Sequence, residues 1–250
     1  MDDLIQQEQR DAVVEIQLNR PEKKNALTLP MYRQLSERLK AADENPKVNV
    51  ILLTGAGDSF SAGNDIGDFV ASVDDPQSVK VIIHFLHTLA AMKKPVIAAI
   101  QGDAVGIGTT LLLHCDLVIA ADNLRCLMPF VRMGLLPEGG STLLFPRMIG
   151  HQSAFELMVE GSAFGAARGR EIGLINQVVG LDELKEVARS RAQALADLPI
   201  ESVKASKQLM KKDYLEQLHS VMDEEGELFY QSLFSREARQ AFSAFLHKNR

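Results

Sequence analysis

The sequence carries only two cysteines, Cys115 and Cys126, and no Cys/His cluster accompanies them. Too few for a disulfide framework or a thiolate metal set, they read as reduced core residues in a reducing compartment. Positive charge is also scarce: 27 Lys and Arg stand against 33 Asp and Glu, a formal charge of −6 at pH 7. With a pI near 5.6, general binding to nucleic acid or an anionic membrane is disfavoured, a local basic face excepted. No apolar run approaches the length of a membrane span. The opening MDDLIQQEQR lacks the long apolar or arginine-rich character of a targeting segment, and the closing HKNR is not a peroxisomal address. These absences lead to the expectation of a cytoplasmic protein. There is no repeat of fixed period and no low-complexity tract. What remains is ordinary for a folded chain: 250 residues, 46% hydrophobic and 24% charged, enough for one main domain with a helical appendage.

The stretch PVIAAIQGDAVGIGTTLLLHCDLVIAA, positions 95–121, is the most informative. It predicts an apolar strand over 96–100, a turn with Gly102, Gly106 and Gly108, a short buried helix, and a second strand over 117–120. Glycines at a helix start let another molecule approach unsatisfied backbone N–H groups, and the helix dipole adds partial positive charge. The chemistry fits an anion, or an oxygen that becomes one. A dinucleotide fingerprint would need a third glycine where Leu111 stands, and a P-loop would need Gly-Lys-Ser/Thr where Gly108-Thr109-Thr110 stands. Neither nucleotide reading survives. Taken alone, the glycines are equally explained by tight packing of a buried helix against a sheet.

Along the chain, alternation over 12–18 predicts a half-exposed strand at an edge or antiparallel start, with Val14, Ile16 and Leu18 on one face. Thr28 is an N-cap for a helix marked by Met31, Leu35 and Leu39. A nearly unbroken apolar strand covers 48–54, a loop with SAGND enters a helix near Ile66, a surface linker covers 74–77, and helical spacing runs over 79–92. This alternation predicts an α/β fold, a largely parallel sheet with covering helices. From 141 onward the segments 141–149, 152–160, 166–172, 182–196, 202–212, 214–233 and 236–245 read as helices. Residues 1–190 are expected to form the core and 191–250 a helical region packed on that core or on a neighbouring subunit.

Three separated segments, FSAGND (60–65), the glycine turn (102–108) and LLPEGGS (135–141), resemble signature regions of the enoyl-CoA hydratase/isomerase family. NRPEKKNAL (19–27) resembles a fourth, and the four in order span nearly the whole chain. The resemblance implies the crotonase (ClpP-like) fold with a helical C-terminal trimerisation region, and homotrimers or dimers of trimers. It implies an acyl-CoA thioester substrate, with coenzyme A as part of that substrate and no metal or redox cofactor. The thioester oxygen would rest in an oxyanion hole made by the backbone N–H groups of Asn64 and Ile107. Such donors stabilise an enolate more than the ground-state carbonyl. Lys24, Ala26, Ala62, Gly63, Asp65, Ile66, Gly106, Leu135 and Pro137 would line the substrate site, with Lys23 and Lys24 meeting phosphate.

Which reaction follows depends on the proton carrier. Family hydratases use two glutamates, and the matching positions here are Thr110 and Phe130, neither of which can serve as a proton-carrying acid or base at neutral pH. Glu138, in the PF…GLLPEGGS…P arrangement, stands where the Δ3,Δ2-enoyl-CoA isomerases, especially of the peroxisomal type, carry their single catalytic glutamate. One carboxylate suffices to take a proton from C2 of a 3-enoyl thioester and return it at C4. Read locally, Glu138 is a solvated acid beside a helix start; the family match and the missing second glutamate favour catalysis. Asp65 reads as a cap of the helix near Ile66, and His114 as a satisfied core histidine or an interface residue rather than a second base. The basic set Lys204, Lys207, Lys211 and Lys212 reads as a solvated helix face. Phe69, Leu86, Phe130, Leu135, Phe242 and Phe245 are candidates for an apolar acyl wall. The competing readings are a hydratase or another enolate reaction of the same family, and a non-catalytic binding protein on this fold.

Overall fold

A computed structural model of the chain describes residues 3–71, 75 and 77–248, with the side chains of 245, 246 and 248 outside that description. Positions 74 and 76 of the expected linker, and the side chain of Phe245, therefore lie outside the described residues. The chain opens with β1 (Ile5–Arg10), antiparallel to β2 (Val13–Leu18), and continues through α1 (Leu29–Glu44), β3 (Val50–Gly55), α2 (Ile66–Ala71), α3 (Gln77–Ala90) and β4 (Val96–Ile100). Next come β5 (Asp103–Val105), α4 (Ile107–Thr110), β6 (Leu117–Ala121) and β7 (Arg125–Leu127). The last part holds α5 (Ser141–Ile149), α6 (His151–Phe155), β8 (Phe164–Gly165), α7 (Ala166–Glu171), β9 (Gln177–Val179), α8 (Leu184–Ala196), α9 (Ile200–Lys211), α10 (Leu215–Ser232) and α11 (Arg236–Lys248).

Six strands form one sheet in the order β1-β2-β3-β4-β6-β9, parallel throughout except for the β1–β2 pair. Continuous apolar runs in β3, β4 and β6 suit strands covered on both faces. One face turns Ile16, Ile51, Leu53, Ala98 and Ile100 into the main core with α1 and α3. The other turns Val50, Leu52, Ile97, Ala99 and Ile119 toward α8. That helix meets them with Leu184, Ala188, Ala192 and Ala196, four residues apart and hence on one stripe.

The strand over 12–18 is antiparallel to its chain neighbour as expected, but it is neither half-exposed nor at the edge. β1 takes the edge, and α8 covers the second face. There Glu15 is buried, taking hydrogen bonds from Arg189 Nε at 2.9 Å and the Thr54 hydroxyl at 3.2 Å. The predicted helices appear within a few residues of their expected bounds. Thr28 holds the N-cap position of α1 without a side-chain cap; Asp68 instead accepts the Leu29 N–H at 2.9 Å. A second sheet, β5-β7-β8, was not foreseen, and it sits where the glycine turn is made. Among the described residues no helix is long and apolar enough to cross a membrane.

Candidate active site

Two short backbone segments run side by side to form one end of a cavity. Ser61 bridges Ala104 in parallel, with Val105 N–H donating to Ser61 O at 2.9 Å and Ser61 N–H to Asp103 O at 3.0 Å. On the other side Leu27 bridges Asn64, through Leu27 N–H to Gly63 O and Asp65 N–H to Leu27 O. The approach is closer than any side chain permits. Gly63 has φ +86°, and a Cβ there would lie 2.6 Å from the Val105 carbonyl oxygen. The alternation of these ladders leaves the Asn64 N–H out of both. The Ile107 N–H opens α4, where no preceding turn supplies an acceptor. Among the described residues neither N–H meets an acceptor, and both residues line the cavity. The Asn64 side chain is engaged elsewhere, its Oδ1 accepting the buried Tyr32 hydroxyl at 2.5 Å.

The cavity has a volume of about 850 Å³. Of the residues expected at the substrate site it gathers Lys24, Ala26, Ala62, Gly63, Asn64, Asp65, Ile66, Gly106, Ile107 and Leu135, with Lys23 beside them. Pro137 and Glu138 are buried outside this lining. Phe69, Phe130 and Phe242 lie on the wall as expected, whereas Leu86 is buried behind it. Met133 and Phe229 complete the wall and were not foreseen. Phe69 meets Phe229 and Phe242 edge-on, with ring centroids 5.9 and 6.3 Å apart. At the polar mouth Lys24 Nζ pairs with Asp103 at 2.8 Å. Asp65 caps α2 through the Asp68 N–H at 3.1 Å and pairs with Arg20 at 2.6 Å. Burial alone raises its pKa, but the Asp68 N–H, the Arg20 guanidinium and the Gly67 N–H outweigh that and hold the carboxyl below the usual carboxylate range.

Glu138 is only 2% exposed. Its Oε1 accepts the Thr110 hydroxyl at 2.6 Å, and Thr110 stands one helical turn after Ile107. Its Oε2 is buried with no hydrogen-bond partner. Burial pushes this carboxyl up to about 8, against the Thr110 hydrogen bond, with the charge of Glu225 adding to the rise. Burial, and then the Glu138 charge, likewise hold the Tyr32 hydroxyl well above its ordinary value. His114 is the satisfied core histidine expected. Burial takes it down to about 3, so it is neutral, and its Nε2 donates to Gly139 O at 2.8 Å. Sequence reasoning treated Thr110 only as a missing glutamate. It is the hydroxyl that orients Glu138, a pairing across 28 residues that leaves no local trace.

The basic set is a solvated face only in part, with Lys212, just past the end of α9, exposed. Lys207 is buried, pairing with Asp116 at 2.6 Å and donating to Lys94 O at 2.8 Å. Lys211 donates to Ala90 O at 3.2 Å, and burial brings its pKa down to about 8. Lys204 pairs with Glu201, and none of the set lines the cavity. Cys126 is a buried core thiol, pushed up to about 12 by burial. Among the described residues no three His, Cys, Asp or Glu side chains come together as a metal site.

A family model described as enoyl-CoA hydratase/isomerase matches residues 8–250. The chain is 36% identical over 244 residues to 1,2-epoxyphenylacetyl-CoA isomerase of Escherichia coli, covering 94% of this chain and 92% of that one. It is 33% identical over 239 residues to enoyl-CoA delta isomerase 2 of Rattus norvegicus, covering 94% of this chain and 61% of that one. Among solved structures, Pseudomonas aeruginosa OdaA superposes with a TM-score of 0.93 at 43% identity, over 98% of this chain and 100% of that one.

Proposed function

The chain belongs to the enoyl-CoA hydratase/isomerase family and has the crotonase fold, and on that premise we propose that it shifts the double bond of a 3-enoyl-CoA to the 2-position. The observation that carries this reading is Glu138. It is a buried carboxyl with one oxygen held by Thr110 and the other free, with no second carboxylate at positions 110 or 130. Glu138 Oε2 takes a proton from C2 of the bound thioester. The electron pair moves onto the thioester oxygen, giving a dienolate held by the N–H groups of Asn64 and Ile107, each worth roughly 3 to 4 kcal/mol at the transition state. The same carboxyl returns the proton at C4, so that C3=C4 becomes C2=C3 and no water is consumed. A base pushed up to about 8 by burial is strong enough to attack an acidified C–H yet ionises near neutral pH.

Lys23 and Lys24 sit at the cavity mouth to meet the phosphates of coenzyme A, and the aromatic wall takes the acyl group. No metal or redox group enters this chemistry. The free, buried Cys126 suits the reducing cytoplasm. A homotrimer or dimer of trimers would cover Leu209 and Met210, which α9 leaves exposed. A second reading follows from the ring-lined wall together with the E. coli relative: isomerisation of an aryl-bearing acetyl-CoA thioester through the same hole.

The test is turnover of a 3-enoyl-CoA, of crotonyl-CoA with water, and of 1,2-epoxyphenylacetyl-CoA by the purified protein, repeated with Glu138→Gln. Fast 3-enoyl isomerisation, weak hydration and a loss of at least about 10²-fold in the variant are expected. Dominant hydration, or an isomerase rate indifferent to Glu138→Gln, would sink the assignment. Preference for the epoxide selects the second reading.

A further inference from the structure

A second buried carboxylate faces the Glu138 loop from α10. Glu225 Oε2 accepts the Gly140 N–H at 2.6 Å, while its Oε1 accepts the Thr142 N–H at 3.0 Å and the Thr142 hydroxyl at 2.5 Å. These three donors lie two and four residues after Glu138, at the first turn of α5, whose unsatisfied N–H groups and dipole favour a negative charge. The seat is tight on both sides. A Cβ on Gly140, which has φ +68°, would come within 2.2 Å of Leu218 of α10, and a Cβ on Gly226, beside Glu225, within 2.8 Å of Ile83 of α3. α10 is thus packed closely against the loop on one side, at Gly140, and against α3 on the other, at Gly226.

We propose that Glu225 is a positioning residue for Glu138: by gathering three donors of the 140–142 backbone onto one carboxylate, it fixes where the catalytic side chain stands. The claim rests on Glu138 being the proton carrier. Both oxygens of Glu225 are committed as acceptors, so it meets no proton of the substrate and acts only through the loop. It also places a like charge near Glu138, whose pKa it raises. The other titratable groups around Glu138 and its loop are Tyr32 from α1 and His114 after α4, with His87, His219 and Lys211 beyond His114 and Glu224 beside Glu225. From α3 the apolar Leu86 lies against Gly139, 3.4 Å from where a Cβ would stand.

The experiment reads Glu138 itself and the reaction in parallel, in the full-length protein. The infrared band of the protonated Glu138 carboxyl, identified by its loss in Glu138→Gln, is titrated in wild type, Glu225→Gln and Glu225→Asp. Glutamine offers a single acceptor oxygen where three donors converge and carries no charge. The band should shift and its midpoint should move to lower pH, with kcat falling about 10- to 100-fold while KM stays within about 3-fold. Aspartate keeps the charge on a shorter stem, so its midpoint should stay close to wild type while the band moves and kcat falls. If Glu225→Gln does not fold, Glu225→Asp carries the test. A band unmoved in whichever variant folds overturns the proposal, whatever the enzyme catalyses. A shifted band in a protein that fails to isomerise 3-enoyl-CoA upholds the placement by Glu225 and overturns the isomerase reading instead.

Discussion

The two halves of the site are built from different material. The proposed oxyanion half is main chain: it would use the N–H groups of Asn64 and Ile107, oriented by the bridges of Leu27 to Asn64 and Ser61 to Ala104. The proposed proton-carrying half is side chain: Glu138 is held by a hydroxyl from α4 and by the loop that Glu225 and His114 tie down. The first half therefore tolerates exchange of side chains and is fragile to any change of backbone. The second is sensitive to exchange of its polar groups, since Thr110, Glu138, His114 and Glu225 are buried and each holds a hydrogen-bond partner through at least one atom.

Gly63→Ala attacks the first half where it is fragile. A methyl group 2.6 Å from Val105 O at φ +86° must push the two segments apart. We expect kcat to fall about 10²- to 10³-fold and stability to drop by about 1 to 3 kcal/mol, read by steady-state kinetics and a thermal melt. A near-normal rate would show that the donors lie elsewhere. The second half can be tested by pH alone. In the proposed mechanism Glu138 acts as the ionised base, and burial has pushed its pKa up to about 8. kcat/KM of the wild type should therefore fall about tenfold per pH unit below that value and level off above it, because the free enzyme is protonated on the acid side. A profile flat from pH 6 to 9 would remove Glu138 from the role.

Thr110→Val keeps the shape and deletes one hydroxyl. Since that hydrogen bond pulls the Glu138 pKa down, the acid limb should move to higher pH and the rate at pH 7 should drop by roughly threefold to tenfold. An unmoved limb would mean that Thr110 only packs. The smallest effect completes the contrast. Ile107→Val keeps the N–H, and kcat should stay within about twofold; a large loss would show that this side chain matters as the main-chain account denies.

The same division explains what could be read from residues alone. Main-chain features leave local marks: apolar runs made β3, β4 and β6 legible, Met31, Leu35 and Leu39 marked α1, and the glycines with AGND, through their resemblance to the family, marked the proposed oxyanion site. β1 was missed because IQQEQR buries only Ile5 and owes its extended form to pairing with β2. β5, β7, β8 and β9, two or three residues each, are too short to show a period. Side-chain partners left no mark at all. Thr110 meets Glu138 across 28 residues, Tyr32 meets Asn64 across 32, and Glu225 meets Gly140 across 85. Lys207 was read as solvated because its partner, Asp116, lies 91 residues earlier in the chain.

The alanine stripe of α8 has a consequence for how the protein is made. The sheet face of Val50, Leu52, Ile97, Ala99 and Ile119 leaves the ribosome long before Ala188, Ala192 and Ala196 arrive to cover it. At about 5 to 20 residues per second, the 75 residues from the end of β6 at Ala121 to the end of α8 at Ala196 leave that apolar surface bare for several seconds. During that interval the nascent chain presents the kind of surface that chaperones bind, and substitutions that slow the docking of α8 should first show themselves as lost yield.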